Sequence, residues 1–119
     1  MALLRVGPLP DAPLAAAASF HRDILPAVRR ELADRADQLA SDRYAPDHLT
    51  LVFAPADHTH RGWRVAAVEE LAREYAPVRI NALAADDEPA IAAATAYLAS
   101  APGLTGQLLP LDGTGAGPG

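Results

Sequence analysis

Between Ala12 and Ser41 the apolar residues Phe20, Ile24, Val28, Leu32, Ala36 and Leu39 recur every three to four positions, the spacing of a helix that lays one stripe against a core. Arg30 with Asp34 and Glu31 with Arg35 fall at i,i+4 on the opposite side, where such pairs add a few tenths of a kcal/mol. A continuous helix over that span would be about 45 Å long. Pro26 lies inside it and predicts a kink or break, because proline removes a backbone donor and crowds the preceding turn. Ahead of it, Leu3-Leu4-Arg5-Val6 reads as a short strand stopped by Gly7-Pro8 and Pro10-Asp11.

Downstream, His48 to Ala54 is an apolar run bounded by polar turns and predicts a buried strand. Trp63 to Tyr75 predicts a helix with Val65, Val68, Leu71 and Ala72 on one face and Arg64, Glu69, Glu70 and Arg73 on the other, ended by Pro77. Val78 to Leu83 predicts a third strand. Asp86-Asp87-Glu88-Pro89 has the acidic, proline-containing signature of a helix N-terminus, the helix itself being Ile91 to Ser100. Gln107 to Leu111 predicts the last strand, and Gly113 to Gly119 a flexible Gly-rich tail.

Strands alternating with helices predict βαβ units and a parallel sheet, so the fold class is α/β: four parallel strands in order 1-2-3-4 with three helices. Unbroken apolar strands expect cover on both faces. If every crossover is right-handed while the strands advance in one direction, all three helices share one face. An apolar remainder then stays exposed, and such a remainder is the mark of a partner.

At 119 residues the chain is one domain, large enough to bury roughly two thirds of its unfolded surface; the domain is expected to close at residue 113, with 114–119 as tail. All ten basic residues are Arg and the net charge is −5, which leaves no basic footprint for nucleic acid. The absence of Cys removes disulfides, thiolate nucleophiles and Cys-ligated zinc. No apolar run approaches a membrane span, and Met1 to Arg5 is followed by Gly-Pro turns rather than a signal-peptide core. A cytoplasmic protein with neither a nucleic-acid nor a membrane partner is the expectation.

Residues Arg79-Ile80-Asn81-Ala82-Leu83-Ala84, the helix ending Tyr97-Leu98-Ala99-Ser100, and Thr105-Gly106-Gln107-Leu108-Leu109-Pro110-Leu111-Asp112-Gly113 resemble the C-terminal end of short-chain dehydrogenases/reductases, which reads I-R-V-N-A-I-A, then F-L-A-S, then T-G-Q-x-L-x-V-D-G-G. Ala66 to Glu74 followed by Pro77 resembles the family's helix after its catalytic Tyr. Leu51-Val52-Phe53 resembles the strand that delivers its catalytic Ser, Leu3 to Gly7 the strand ending in N-N-A-G, and Ile24 to Val28 the helix carrying L-L-P. The resemblance implies a truncated Rossmann-like fold, with the helix before the last strand on the opposite side of the sheet.

The same register removes the chemistry. The family's Tyr position falls on Arg61, its Lys position on Val65, and the Ser strand ends in Ala54-Pro55-Ala56. No phenol donates a proton and no ammonium lowers its pKa or holds the ribose. The glycine-rich turn that cradles a dinucleotide pyrophosphate has no counterpart, so no cofactor is expected.

Asp57-His58-Thr59-His60 is the most chemical-looking tetrapeptide. In an extended segment His58 and His60 project to one side and, with Asp57 or His48, are metal-ligand candidates; the alternative is a polar loop that caps the next helix. Asp86, Asp87 and Glu88 read as acid-base carboxylates or as helix-dipole partners. Trp63 reads as an interface anchor or as core. Arg64 and Arg73 fit a solvated face better than a phosphate clamp. Ser19, Ser41 and Ser100 have no motif for activation.

The expected function is that of a noncatalytic subunit, a pseudoenzyme acting through oligomerisation. The resemblance implies two assembly surfaces: one on the long helix and the helix after the catalytic residues, through Phe20, Ile24, Val28, Trp63, Val68 and Leu71, and one on the last helix and strand, through Tyr97, Leu109 and Leu111. The partner is a second copy or a full-length dehydrogenase relative. The alternative is a small enzyme or ligand- or metal-binding protein with a composite site at a homodimer interface.

Overall fold

The strand His48–Phe53 is buried at all of its positions, as a parallel strand covered on both faces must be. The computed structural model describes residues 2–41 and 48–111, and the side chains of residues 3–34 and 48–111 within them. Four strands, β1 (Ala2–Arg5), β2 (His48–Phe53), β3 (Arg79–Ala84) and β4 (Leu108–Pro110), form one parallel sheet in the order β1-β2-β3-β4. That is the predicted α/β, Rossmann-like arrangement. The predicted tail falls outside the described residues.

Three helical bodies connect the strands. The first consists of α1 (Pro13–Ser19), a π-helical turn (Phe20–Ile24) and α2 (Leu25–Ser41). Pro26 therefore does not break the helix. The turn before it widens instead, with the Leu25 N–H donating to the Phe20 carbonyl five residues back. The apolar stripe has a use for this widening. Phe20, Ile24, Val28 and Leu32 repeat every four residues, which overruns a 3.6-residue turn, so a straight helix would rotate each side chain further off the sheet. A π-type turn takes up the excess residue, and Phe20, Val28 and Leu32 all end fully buried.

The second body, α3 (Arg61–Glu74), follows a 3₁₀ turn at His58–His60. It buries Arg64, Ala67, Val68, Leu71 and Ala72, a stripe at i, i+3, i+4, i+7 and i+8. The third, α4 (Glu88–Ala99), buries Ile91, Thr95 and Leu98. Its N-terminus is capped by Asp87, whose carboxylate accepts the Ala90 N–H at 3.0 Å. Glu88 pairs in a fork with Arg5 at 2.7 and 3.0 Å. The acidic cluster thus serves the helix N-terminus and an ion pair.

Strand alternation sorts the core into two layers. Leu49, Leu51, Phe53, Ile80 and Ala82 face α1, α2 and α3 together with Phe20, Val28, Leu32, Val68 and Leu71. Val52 and Leu83 face α4, with Ile91 and Leu98. Since α4 lies opposite the other helices while the strands keep advancing in one direction, the third crossover has the opposite hand from the first two. The single-face arrangement that uniform right-handedness predicts does not occur. The opposite-side placement implied by the family resemblance does.

The residues that carry the resemblance stitch β4 onto β3. The Ile80 N–H donates to Thr105 Oγ1 at 3.1 Å, and Gly106, at φ +74°, returns its N–H to the Ile80 carbonyl at 2.7 Å. Asn81, fully buried, donates to the Leu104 carbonyl at 3.0 Å and accepts the Gln107 N–H at 3.0 Å. Its amide nitrogen also lies 3.1 Å from His48 Nε2.

Candidate functional site

The carboxyl ends of β1 and β2 open into a cavity of about 410 Å³, within the size range of small-ligand pockets. Its walls come from two proline-rich loops, Val6 to Asp11 after β1 and Ala54 to Asp57 after β2, and its floor from Phe53, His60 and Arg64. Open α/β sheets place ligand crevices at this edge, beyond the strand carboxyl ends. Two of the loops' residues are fixed to the rest of the molecule: the Val6 N–H donates to the Val52 carbonyl at 2.8 Å, and Asp11 is held by His60.

His60 is locked by two bonds. The Trp63 indole N–H donates to Nδ1 at 3.1 Å, so Nδ1 is the acceptor, and Nε2 must carry the proton that reaches the Asp11 carbonyl at 2.8 Å. Asp57 turns the chain into the 3₁₀ segment by accepting from the Thr59 N–H at 2.9 Å and from the Thr59 hydroxyl. Those bonds, the hydroxyl first, hold its pKa below the usual carboxylate value. His58 is exposed on the same turn. His48 sits at the start of β2, a strand length away, hydrogen-bonded to Asn81. Hence Asp57-His58-Thr59-His60 is a turn and cap; the structure does not converge Asp57, His58, His60 and His48, and among the described residues no group of three possible ligands is placed to hold a metal ion.

Arg64 is the residue that the sequence pattern misplaced. Expected on a solvated face, it is only 6% exposed. Its guanidinium lies 4.6 Å over the Phe53 ring and 5.7 Å from that of Trp63. Nη1 donates to the Ala54 carbonyl at 2.9 Å, while Nε is buried without a hydrogen-bond partner. No carboxylate among the described residues forms an ion pair with it, and burial lowers its pKa. The signal was present in the sequence: Arg64 lies four residues before Val68 and seven before Leu71, in the middle of the apolar stripe. Arg73, by contrast, is exposed and paired with Glu70 at 2.7 Å.

The proposed assembly residues divide. Phe20, Val28, Val68 and Leu71, expected on the first assembly surface, are buried in the chain's own core, where the helical stripes face the sheet. Ile24 and Trp63 are half-buried against the same core. Trp63 joins Phe20 and Phe53 in an aromatic cluster with ring centroids 5.4 to 5.7 Å apart. Leu109 and Leu111 are half-buried against the α4 side. Tyr97 is 58% exposed.

The positions that the resemblance aligns with catalytic groups hold Ala54 to Ala56, which line the cavity, an exposed Arg61 and a half-buried Val65. The titratable groups that line it are Asp11, Asp57, His60 and Arg64. No curated protein and no solved structure matches the chain. A family model described as short chain dehydrogenase-like protein, or SDR-like, matches residues 4–111. With that match running from β1 to the end of β4, over a sheet whose order and crossovers are those just described, the chain belongs to the SDR-like family of short chain dehydrogenase-like proteins.

Proposed function

We propose that this chain is a noncatalytic short chain dehydrogenase-like subunit that works by association with a second copy or with a full-length dehydrogenase. The observation that carries the reading is the uneven cover of the sheet. One face is closed by α1, α2 and α3, whereas among the described residues the other has only the twelve residues of α4. On that side Leu3 is 39% and Tyr97 58% exposed, and a groove of about 340 Å³ runs between β1 and α4, lined by Leu3, Ile91, Ala92, Thr95 and Ala96 with the Arg5–Glu88 pair.

At the β4 edge the geometry favours packing through side chains over strand addition. β4 is a three-residue edge strand, and the Leu111 N–H points inward to the Ala84 carbonyl. Period-two alternation therefore turns the Pro110 nitrogen outward, where it has no proton to offer an added strand. The absence of Tyr and Lys at Arg61 and Val65 supports a noncatalytic role.

Native mass spectrometry of the protein isolated from its own host, without crosslinking, tests this. A homo-oligomer or a complex with a full-length dehydrogenase is expected, and the two outcomes identify the partner. A monomer at every concentration that copurifies with no dehydrogenase overturns the reading, as does substantial cofactor-independent turnover by the purified chain.

A further inference from the structure

We infer that the cavity at the carboxyl ends of β1 and β2 binds a small organic monocarboxylate, its carboxylate on the Arg64 guanidinium and its apolar body against the proline-rich loops. The site goes beyond the association reading and stands whether or not that reading holds.

The guanidinium of a residue only 6% exposed, with no paired anion among the described residues, is an expensive thing to bury. Phe53 and Trp63 offset part of the cost through their ring faces, and the Ala54 carbonyl accepts one N–H. Neither supplies the missing negative charge, and Nε is buried without an acceptor. A carboxylate supplies that charge and accepts hydrogen bonds from the guanidinium's terminal N–H groups.

The walls decide between anions. Phosphate sites draw on several convergent backbone N–H groups. Here Pro8, Pro10 and Pro55 line the cavity and have no N–H to give. Asp11 and Asp57 line it too, and they repel a dianion more than a monoanion. Leu9, Phe53, Ala54 and Ala56, with the prolines, offer apolar contact for a hydrocarbon body. One charge on an apolar frame is the complement.

The test uses the full chain and three probes: sodium benzoate, its neutral isostere benzamide, and inorganic phosphate. In a titration followed by amide and arginine side-chain NMR, benzoate is expected to give saturable shifts at Gly7, Ala54 and Ala56 and at the Arg64 Nε–H. Benzamide and phosphate are expected to leave those resonances in place. Arg64→Met should weaken benzoate binding roughly tenfold or more, the scale of one charge-assisted hydrogen bond. Equal response to benzamide, preferential response to phosphate, or no saturable response of the Arg64 Nε–H overturns the inference. That last readout needs no variant, so it holds even if Arg64→Met fails to fold.

Discussion

Asn81 shows how a single polar side chain can organise a sheet edge. Buried in β3, it holds the Leu104 carbonyl and the Gln107 N–H at once, joining the strand to the loop that delivers β4. Replacing it by Ala strands both groups, and Asn81→Ala is expected to cost about 2–4 kcal/mol in denaturant unfolding. Gly106 acts by conformation alone. A Cβ there would meet Ala72 Cβ at 3.7 Å, an ordinary contact, but φ is +74°. Gly106→Ala should therefore cost about 1–2 kcal/mol from backbone strain without steric displacement.

Asp57 is one residue whose effect depends on pH. Its pKa is depressed in the fold by the Thr59 hydroxyl and N–H, so the stability it contributes is present above the unfolded carboxylate value. That contribution is lost as pH falls through that value toward the folded one. Thermal melts of wild type and Asp57→Asn should converge below about pH 4 and separate above it; curves that run parallel throughout would assign the cap no electrostatic part.

At the scale of elements, the four helical segments are not equivalent. Among the described residues α4 alone closes the second face, and Leu98 is its fully buried contact with Val52 and Leu83. Leu98→Ala is expected to cost about 2–5 kcal/mol. Leu14 in α1 is 87% exposed, and Leu14→Ala should change stability by no more than about 0.5 kcal/mol. Equal effects in chemical denaturation would mean that Leu14 is covered in the protein as it exists in solution. The π turn at Phe20–Ile24 belongs to this scale too: a four-residue apolar repeat and a proline at position 26 are both accommodated by one widened turn.

For the whole molecule, the described residues cover the sheet well on one side and thinly on the other. Tyr97→Asp adds a charge to α4 at a position 58% exposed, where the isolated fold should tolerate it within about 0.5 kcal/mol. An assembly that uses this face should not tolerate it, and its mass by light scattering should fall toward that of the monomer. Unchanged mass would move the contact elsewhere. Calorimetric titration with NAD(P)H is expected to give no saturable heat, since no phenol or ammonium stands at Arg61 and Val65; a micromolar Kd would show that cofactor contacts survive in another form.

The sequence by itself determined the strands, their order and the helical connections. Those depend on local periodicity and on turn residues such as Pro77 and Gly106, whose effects are short-ranged. It also carried the family resemblance, through Asn81 and the Thr105-Gly106-Gln107 turn, because those residues make bonds that the fold needs. What tertiary structure alone decided is which surfaces are spent. Phe20, Val28, Val68 and Leu71 have the same pattern whether a stripe meets its own sheet or a partner, and only the packed sheet shows that they are core. The face taken by α4 follows from the hand of one crossover, which the family resemblance implied but neither periodicity nor any single residue type encodes. Arg64 stands in the apolar stripe, but its type pointed to solvent. Only the meeting of β1, β2 and α3 at one sheet edge buries its charge beside an open cavity, and that burial is what gives the cavity a chemistry.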